Sequence, residues 1–401
     1  MFECNECRQV SRRRFLSKGV KGLSALAIAD PILRSVASTY AQSTGGTGNL
    51  LVLCQLAGGM DALSVLAPFQ NSVYQSKRPD LALTVDEVNP LPDHPDMGLN
   101  KQFQFFFDLY AQGQLAIVQQ AAYPNGNGSH FESQDIYEFG VRNLSSKVGT
   151  EATWYERLRR SYFNQPFGVL ETARIGDPRN YGYPDNTTAK AAQLAFGKLA
   201  RTSTPRTAMQ QAVRKTYDRI DVNGADIRSK TQAFVSTGTA RGEFYRAASL
   251  ASAKLGTQIL KVRYDGFDTH SSQEAANATL FPRINNEFMQ FVNDLKALGM
   301  WERTTVVFYS EFGRRNEQND SPGTDHGHGC HMILAGPRVN PGLHGQTVST
   351  ADLNRGNLPY YVDFRAVFSS CIRDWLGFDP TPVFSLEGET FNADVGSALF
   401  R

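Results

Sequence analysis

Short runs of consecutive apolar residues alternate along the chain with longer segments whose apolar residues recur at helical spacing. The short runs are typical of strands that are buried on both faces. They predict strands over residues 49–56, 115–122, 260–264, 304–309 and 332–335. The longer segments predict helices over residues 101–112, 129–139, 275–298 and 361–376. Because strands and helices alternate, we predict an α/β fold with a largely parallel, doubly wound sheet flanked by helices.

The middle of the chain departs from this alternation. Residues from about 150 to 256 are rich in Ala, Arg and Gln and have a mostly helical pattern. Pro205 is suited to the first turn of a helix expected over residues 207–220. We therefore expect a single domain over residues 42–401 with a mostly helical insertion at about residues 150–256.

The first 41 residues have the features of an export signal. Residues 11–16 read Ser-Arg-Arg-Arg-Phe-Leu, which matches the twin-arginine motif, and a weakly apolar stretch follows over residues 19–33. That stretch is too short to span a bilayer, and no later run approaches about 18 apolar residues. We expect removal of residues 1–41, a periplasmic or secreted protein, and no stable membrane insertion after processing. The alternative for this segment is a basic amphipathic helix.

The charge of the chain depends on this segment. The whole chain has 41 Lys/Arg and 39 Asp/Glu, and residues 1–41 hold seven of the former and three of the latter. The remainder has 34 basic and 36 acidic residues, so no nucleic-acid partner is predicted.

Two of the five cysteines also fall in residues 1–41. The three that remain are too few for a disulfide scaffold, and we expect Cys54, inside the first apolar run, to be buried.

The histidines are concentrated beside acidic and hydroxyl residues. Five of the seven lie in three short polar segments, residues 128–131, 266–270 and 323–331. In open α/β sheets, functional sites form beyond the carboxyl ends of the strands. Asp61, Asp268 and Glu311 each follow a predicted strand, so one crevice can receive all three side chains.

The spacing within these segments suits metal binding. Asp268 and His270 are two residues apart, so in an extended chain both side chains point the same way. His326 and His328 have the same spacing, between glycines. Imidazole and carboxylate ligands favour zinc, manganese or iron, whereas a larger share of carboxylates favours calcium or magnesium. We expect one or two divalent ions, bound by Asp61, Asp268, His270, Glu311, Asp325, His326 and His328.

Some of these residues also have structural alternatives. Asp61 alone can be the N-cap of a helix. Glu311 can pair with Arg314 or Arg315 in a salt bridge. Residues 325–328 can form an ordinary loop.

Ser129 and Arg314 are the candidates for catalysis. Ser129 begins a predicted helix, where free N–H groups and the helix dipole stabilise an anion, and a metal-activated hydroxyl there can attack phosphorus or sulfur. The alternative is an N-cap that forms a capping box with Glu132, and Ser133 is a weaker candidate for the nucleophile. Arg314 can grip an anionic group through two hydrogen bonds or can lie at the surface.

Taken together, the motifs resemble a widespread exported bacterial family, domain of unknown function 1501, which is similar to a distant branch of the alkaline phosphatase/sulfatase superfamily. The likeness spans nearly the whole mature chain. It is carried by the twin-arginine start and by residues 56–61, 129–136, 266–270, 310–314, 323–329 and 362–378.

The resemblance implies an α/β core with one or two metal ions and a nucleophile at a helix start. It implies that Asp61 matches a metal-binding aspartate after the first strand and that Ser129 matches the nucleophile region. Asp268 and His270 match the aspartate–histidine pair of the other metal.

Later positions depart from the superfamily's pattern. Glu311 stands where a metal-binding aspartate usually ends its strand, and either His326 or His328 matches the late histidine. The pair Asp268 and His270 is closer in sequence than usual, and Phe312 stands where a histidine is usual. The resemblance therefore leaves open whether there are two complete metal sites.

These observations predict an exported metal-dependent hydrolase of phosphate or sulfate esters, acting on a small anionic ester or an anionic glycan. One alternative is a non-catalytic exported protein of the same fold that binds a glycan or a protein partner. Another is a metal-dependent phosphoryl transferase or phosphonate hydrolase.

Overall fold

The computed structural model describes residues 48–142, 152–163, 167–175, 223–385 and 391–401, together with Gln211 and Arg214. The elements below belong to one unit, Ala41–Tyr181 and Ile227–Arg401. The expected signal peptide lies outside the described residues, as does much of the expected helical insertion, so both stay predictions.

Eleven strands occur in the part of the chain that the structure describes. They are β1 Leu50–Ala57, β2 Leu66–Ala67, β3 Val88–Pro90, β4 Gly98–Asn100, β5 Leu115–Ala122, β6 Val169–Glu171, β7 Ile259–Asp265, β8 Thr304–Tyr309, β9 Cys330–Ala335, β10 Gly342–His344 and β11 Val362–Asp363. Eight of them form one sheet in the order β10-β5-β9-β8-β1-β7-β6, with β11 also paired to β5. The other three form a small antiparallel sheet in the order β2-β4-β3.

The predicted α/β fold is confirmed. The five predicted strands correspond to β1, β5, β7, β8 and β9, and four of the five are buried along their whole length. In the large sheet β9 is antiparallel to β5 and β8, and the other recorded strand pairs are parallel.

The helices flank this sheet. They include α1 Ala62–Val65, α2 Ser72–Lys77, α3 Gln104–Ala111, α4 His130–Phe139, α5 Trp154–Tyr162, α6 Thr172–Ile175, α7 Glu243–Ser252, α8 Gln273–Ala297, α9 Thr350–Leu353, α10 Phe364–Ser370 and α11 Thr381–Phe384. Aromatic rings hold the long helix α8 on the sheet. The ring of Phe288 lies 5.0 Å from that of Phe308 in β8 and 5.1 Å from that of Phe106 in α3. Burying each such ring contributes about 1.5–3 kcal/mol.

The closing segment differs from the single helix predicted over residues 361–376. Val362 and Asp363 pair with the end of β5 as strand β11, and α10 begins only at Phe364. Asp363 caps α10 through the N–H of Arg365 and also accepts hydrogen bonds from the Arg365 guanidinium. The last turns, Cys371–Trp375, form a π-helix. The apolar spacing gave no sign that the first residues would complete the sheet.

Candidate metal centre

Three adjacent strands, β8, β1 and β7, bring the loops after their carboxyl ends together. Gly58, directly after β1, donates its N–H to Glu311 Oε1 in the loop after β8, at 2.9 Å. Gly58 has a φ of +118°, and a Cβ atom there would lie only 2.4 Å from the backbone nitrogen of Asp268 in the loop after β7. Glycine is therefore required for the loops after β1 and β7 to pack this closely.

Helix α4 adds a side chain from the other side. Ser129 is its N-cap, and the Ser129 Oγ accepts the N–H of Glu132 at 3.4 Å. The predicted helix start is therefore in place, although the Glu132 carboxylate contacts Asn127 instead of closing the capping box. The cap leaves His130 as the first helical residue, with its imidazole directed toward the strand-end loops.

Three imidazoles converge on one carboxylate oxygen. The Nε2 atoms of His130, His270 and His326 lie 3.3, 3.1 and 3.3 Å from Asp268 Oδ1. The Nε2 atoms of His270 and His326 are 2.9 Å apart. His130, Asp268 and His326 offer ligand atoms that all lie within 4.8 Å of one another. The structure thus brings together predicted ligands from two separate histidine segments and adds His130.

The opposite nitrogen of each ring has its own hydrogen-bond acceptor. His130 Nδ1 is 2.9 Å from Glu311 Oε1, His270 Nδ1 is 3.2 Å from Asp325 Oδ1, and His326 Nδ1 is 2.6 Å from the carbonyl oxygen of Gly128. A carbonyl or carboxylate oxygen accepts a hydrogen bond, so each Nδ1 is an N–H donor, and in the neutral form of each ring Nε2 carries a lone pair. The lone pairs then point at one another and at a carboxylate.

A divalent ion fits this arrangement. Ligand atoms about 2.0–2.1 Å from a tetrahedral zinc ion are about 3.4 Å apart, close to the 3.1–3.3 Å found here. His130 Nε2 is buried and makes no hydrogen bond. His270 Nε2 and His326 Nε2 are 2.9 Å apart, and because two facing lone pairs repel, either a proton or a metal ion must lie between them. Metal-binding histidines commonly donate their other N–H to a carboxylate or carbonyl, which is the pattern seen for all three rings.

Glu311 is fully buried behind His130 and orients it. Its Oε1 accepts hydrogen bonds from Gly58 N and from the side chains of His130 and Gln134, each at 2.9 Å. Ser310 Oγ lies 3.1 Å from Oε2. Glu311 was predicted as a direct ligand. In the structure it instead contacts the cluster through a hydrogen bond from His130. Asp325 is placed in the same way behind His270.

Asp268 is held by Arg314. The guanidinium Nη2 donates to Asp268 Oδ1 at 2.6 Å. Burial opposes ionisation of this carboxyl, but the hydrogen bond and the charge of Arg314 outweigh it and lower the pKa of Asp268 to about 2. Burial also lowers the pKa of His326, and together with the Arg314 charge it outweighs the hydrogen bonds to the Gly128 carbonyl and to Asp268, which raise that pKa. At neutral pH the cluster therefore combines an ionised carboxylate with a neutral imidazole, the forms that bind metals.

Arg314 itself has no free donor for a substrate. Its side chain is 0% exposed, and its three nitrogens contact carbonyl oxygens of the surrounding loops as well as Asp268. Neither predicted role, a grip on an anionic group or a place at the surface, matches this position.

Asp61 belongs to a different cluster. It is the N-cap of α1, and its two oxygens accept hydrogen bonds from Arg78 at 2.5 and 3.0 Å, from Ser64 at 2.6 Å and from Gln273 at 2.6 Å. Burial disfavours its charge, but the Arg78 charge and these hydrogen bonds outweigh burial and lower the pKa of Asp61. The structure does not bring Asp61 to the histidines, and its capping role is the alternative considered above.

His328 and Ser133 also point away from the centre. His328 Nε2 donates to the carbonyl oxygen of Tyr123 at 2.7 Å, and Ser133 is buried with its Oγ 2.6 Å from Tyr123 OH. Ser129 stays half-buried between Gly128, whose carbonyl orients His326, and His130. Cys54 is buried as expected, and Cys330 and Cys371 are also buried, free thiols.

His130 is the one member of the cluster that was not predicted as a ligand. It lies next to Ser129 in a histidine segment, at the first position of a correctly predicted helix. Its position in a histidine segment, at the start of a predicted helix, is the sequence feature that could have identified it as a ligand.

Comparisons with known proteins place the chain in a family. No curated protein matches it. Among solved structures, the lipoteichoic acid synthase LtaP from Listeria monocytogenes is 8% identical, covers 78% of this chain and 72% of its own, and superposes with a TM-score of 0.34. The C-terminal periplasmic domain of EptC from Escherichia coli, in complex with zinc, is 10% identical, with 90% and 96% covered and a TM-score of 0.36.

A third similar structure is alkaline phosphatase from the Antarctic bacterium TAB5, at 11% identity, with 73% and 94% covered and a TM-score of 0.29. Similarity at these scores carries no argument about activity. In the described residues, no helix is both long and apolar enough to cross a membrane. Residues 184–384, half of the chain, match the family described as protein of unknown function DUF1501. The chain belongs to this family.

Proposed function

We propose that this chain is an exported, metal-dependent hydrolase of phosphate or sulfate esters. The observation that carries the proposal is the convergence of three Nε2 lone pairs on Asp268 Oδ1, at 3.1–3.3 Å, with every Nδ1 turned outward to an acceptor. Such preorganised ligands are costly to leave facing one another, which supports a cation-binding role.

His130, Asp268, His270 and His326 would hold the ion. A divalent ion there would neutralise charge on an ester and make a hydroxyl or water more nucleophilic. Asp268 and His270 have side chains 51% and 45% exposed, so the centre is open to solvent on their side. This opening supports access for a small anionic ester or for an anionic group on a glycan.

Ser129 is the proposed nucleophile. Its Oγ accepts only a long hydrogen bond, 3.4 Å, from Glu132 N, and it lies between two residues that contact the histidine cluster. The exposed N–H groups at the start of α4 would stabilise the negative charge of the transferred group. Attack would form the bond from Ser129 Oγ to phosphorus or sulfur while the bond to the ester's alcohol breaks, with the serine proton passing through solvent to the departing alcohol. Water would then cleave the seryl ester, release phosphate or sulfate and restore the hydroxyl.

Asparagine at position 129 separates catalysis from capping. Ser129→Asn keeps a good N-cap but removes the hydroxyl, whereas Ser129→Ala removes both. If Ser129 is the nucleophile, both variants lose at least about a hundredfold in kcat, and Ser129→Ala alone also loses about 1 kcal/mol of stability. Full activity in Ser129→Asn would show that the residue is only a cap and that water attacks directly.

The function itself is tested by hydrolysis of p-nitrophenyl phosphate, bis(p-nitrophenyl) phosphate and p-nitrophenyl sulfate. The protein is stripped of metal, then reloaded separately with zinc, manganese and calcium. We expect metal-dependent release of p-nitrophenol from at least one ester, and loss of that activity in His326→Ala. No release by folded, metal-loaded protein would contradict the proposal.

Export is tested by Arg12→Lys with Arg13→Lys, which should leave the unprocessed protein in the cytoplasm.

A second candidate is a binding protein that performs no chemistry. The observation in its favour is Phe131, which is 88% exposed directly after His130 and provides an aromatic surface beside the centre. Aromatic faces of this kind bind apolar or sugar surfaces. Metal-dependent binding of an anionic glycan without turnover would favour this candidate over the hydrolase.

A further inference from the structure

The guanidinium of Arg314 occupies a cage of oxygen atoms beside the histidine cluster. Its Nε donates to Gly59 O at 2.8 Å and its Nη1 to Thr324 O at 2.8 Å. Its Nη2 donates to Phe267 O at 3.1 Å, to Asp268 Oδ1 at 2.6 Å, and to the carbonyl oxygen of Gly58. Five oxygens from the loops after β1 and β7 and from residue 324 therefore enclose one buried positive charge.

Carbonyl and carboxylate oxygens are also the ligands that hard divalent cations prefer. Here the chain supplies the cation itself. The cage is built tightly, since a Cβ atom at Gly59 would lie 3.3 Å from Arg314 Nε and 2.5 Å from the Phe312 ring. With the guanidinium in place, these five oxygens are already engaged by a cation.

The charges around the cluster then balance. One divalent ion and Arg314 would together contribute three positive charges. The carboxylates in hydrogen-bond contact with the cluster are Asp268, Glu311 and Asp325, which contribute three negative charges. Without a second divalent ion, the centre lacks the extra positive charge that would compensate a dianion, so an ester with one negative charge is bound at a lower electrostatic cost.

We propose that Arg314 takes the place of a second metal ion, so that the centre binds one ion and prefers esters with a single negative charge. Phosphate diesters and sulfate monoesters belong to this class, and phosphate monoesters at neutral pH do not. The proposal rests on the hydrolytic function proposed above and specifies its substrate class.

The first measurement is the number of ions per chain, by elemental analysis after saturation with zinc or manganese and removal of loosely bound metal. One ion per chain is expected, and two would overturn the proposal. The second measurement is kcat/KM at pH 8 for bis(p-nitrophenyl) phosphate, p-nitrophenyl sulfate and p-nitrophenyl phosphate. We expect at least one of the monoanionic esters to exceed the dianionic one by about tenfold or more. Preference for p-nitrophenyl phosphate would overturn the proposal, whereas hydrolysis of none of the three would overturn the function on which it rests.

Arg314→Gln tests the residue directly. Without its charge the centre becomes net negative, so the preference for monoanionic over dianionic esters should rise further, and Arg314→Lys should partly restore the wild-type ratio. Arg373→Gln is the matched control, because Arg373 is half-exposed and contacts Asp374 and Ser370. An unchanged ratio in folded Arg314→Gln would overturn the proposal. Because Arg314 is buried, unfolding is measured in parallel, and the wild-type ion count and ester preference decide the matter if the variant does not fold.

Discussion

Asp61 and Asp268 follow neighbouring strands and were both predicted to bind metal, yet they have different surroundings. Asp61 is 5% exposed, and both of its oxygens are engaged by Arg78, with Ser64 and Gln273 completing the set. The Asp268 side chain is 51% exposed, with one oxygen held by Arg314 and facing imidazole lone pairs.

The difference teaches that position at a strand end does not by itself make a carboxylate a metal ligand. What decides is whether other donors already satisfy its oxygens. Arg78 satisfies Asp61 in both oxygens and forms a buried, neutral pair. Arg314 contacts Asp268 at Oδ1, the oxygen that faces the imidazoles, and fixes its direction, but the side chain is half-exposed, so the carboxylate stays accessible to a cation.

The largest expected effect is on stability at the Asp61 cluster. Asp61→Asn leaves the Arg78 charge buried without its partner, which should cost about 3–5 kcal/mol of unfolding free energy. Denaturant unfolding of the variant and of wild type, both without metal, measures this. A loss below about 1 kcal/mol would mean that the pair is not the main determinant of this region's stability.

The next effect separates two histidines of one loop. His326→Ala removes a ligand and should weaken metal binding at least about a hundredfold. His328→Ala, two residues away, removes a side chain bonded to the Tyr123 carbonyl and should leave metal affinity unchanged. Titration of the stripped proteins with zinc compares them. An equal loss of zinc affinity in both variants would contradict the conclusion that only His326 faces the ion.

The smallest effect concerns the carboxylate behind His130. Glu311→Gln keeps the shape but weakens the acceptor for His130 Nδ1, so metal affinity should fall about tenfold to a hundredfold. The same zinc titration measures it. A loss as large as that of His326→Ala would indicate instead that Glu311 binds the ion directly.

The sequence predicted the fold more completely than the centre. Strands such as β1 and β8 are continuous apolar runs, so their limits were predicted to within one residue. Strand β11 was missed because two residues that complete a sheet have no periodic signal.

The centre depends on contacts between distant residues, which spacing does not report. His326 and His328 are equivalent in sequence, and they differ because the carbonyls of Gly128 and Tyr123 turn their rings in different directions. Likewise, nothing near Arg314 in the sequence shows that its guanidinium contacts the carbonyls of Gly58 and Gly59, more than 250 residues away. Conversely, the clustering of histidines was enough to predict that imidazoles and a carboxylate converge at this edge of the sheet.

The most direct test of the central claim is the metal content of Asp268→Asn beside wild type. Both proteins are saturated with zinc, freed of loose metal, and analysed for ions per chain, with thermal unfolding of the metal-free forms to show that both are folded. We predict a bound ion in wild type and none in Asp268→Asn. Equal metal content in the two proteins, or a folded wild type that binds no zinc, manganese or calcium, would contradict the account.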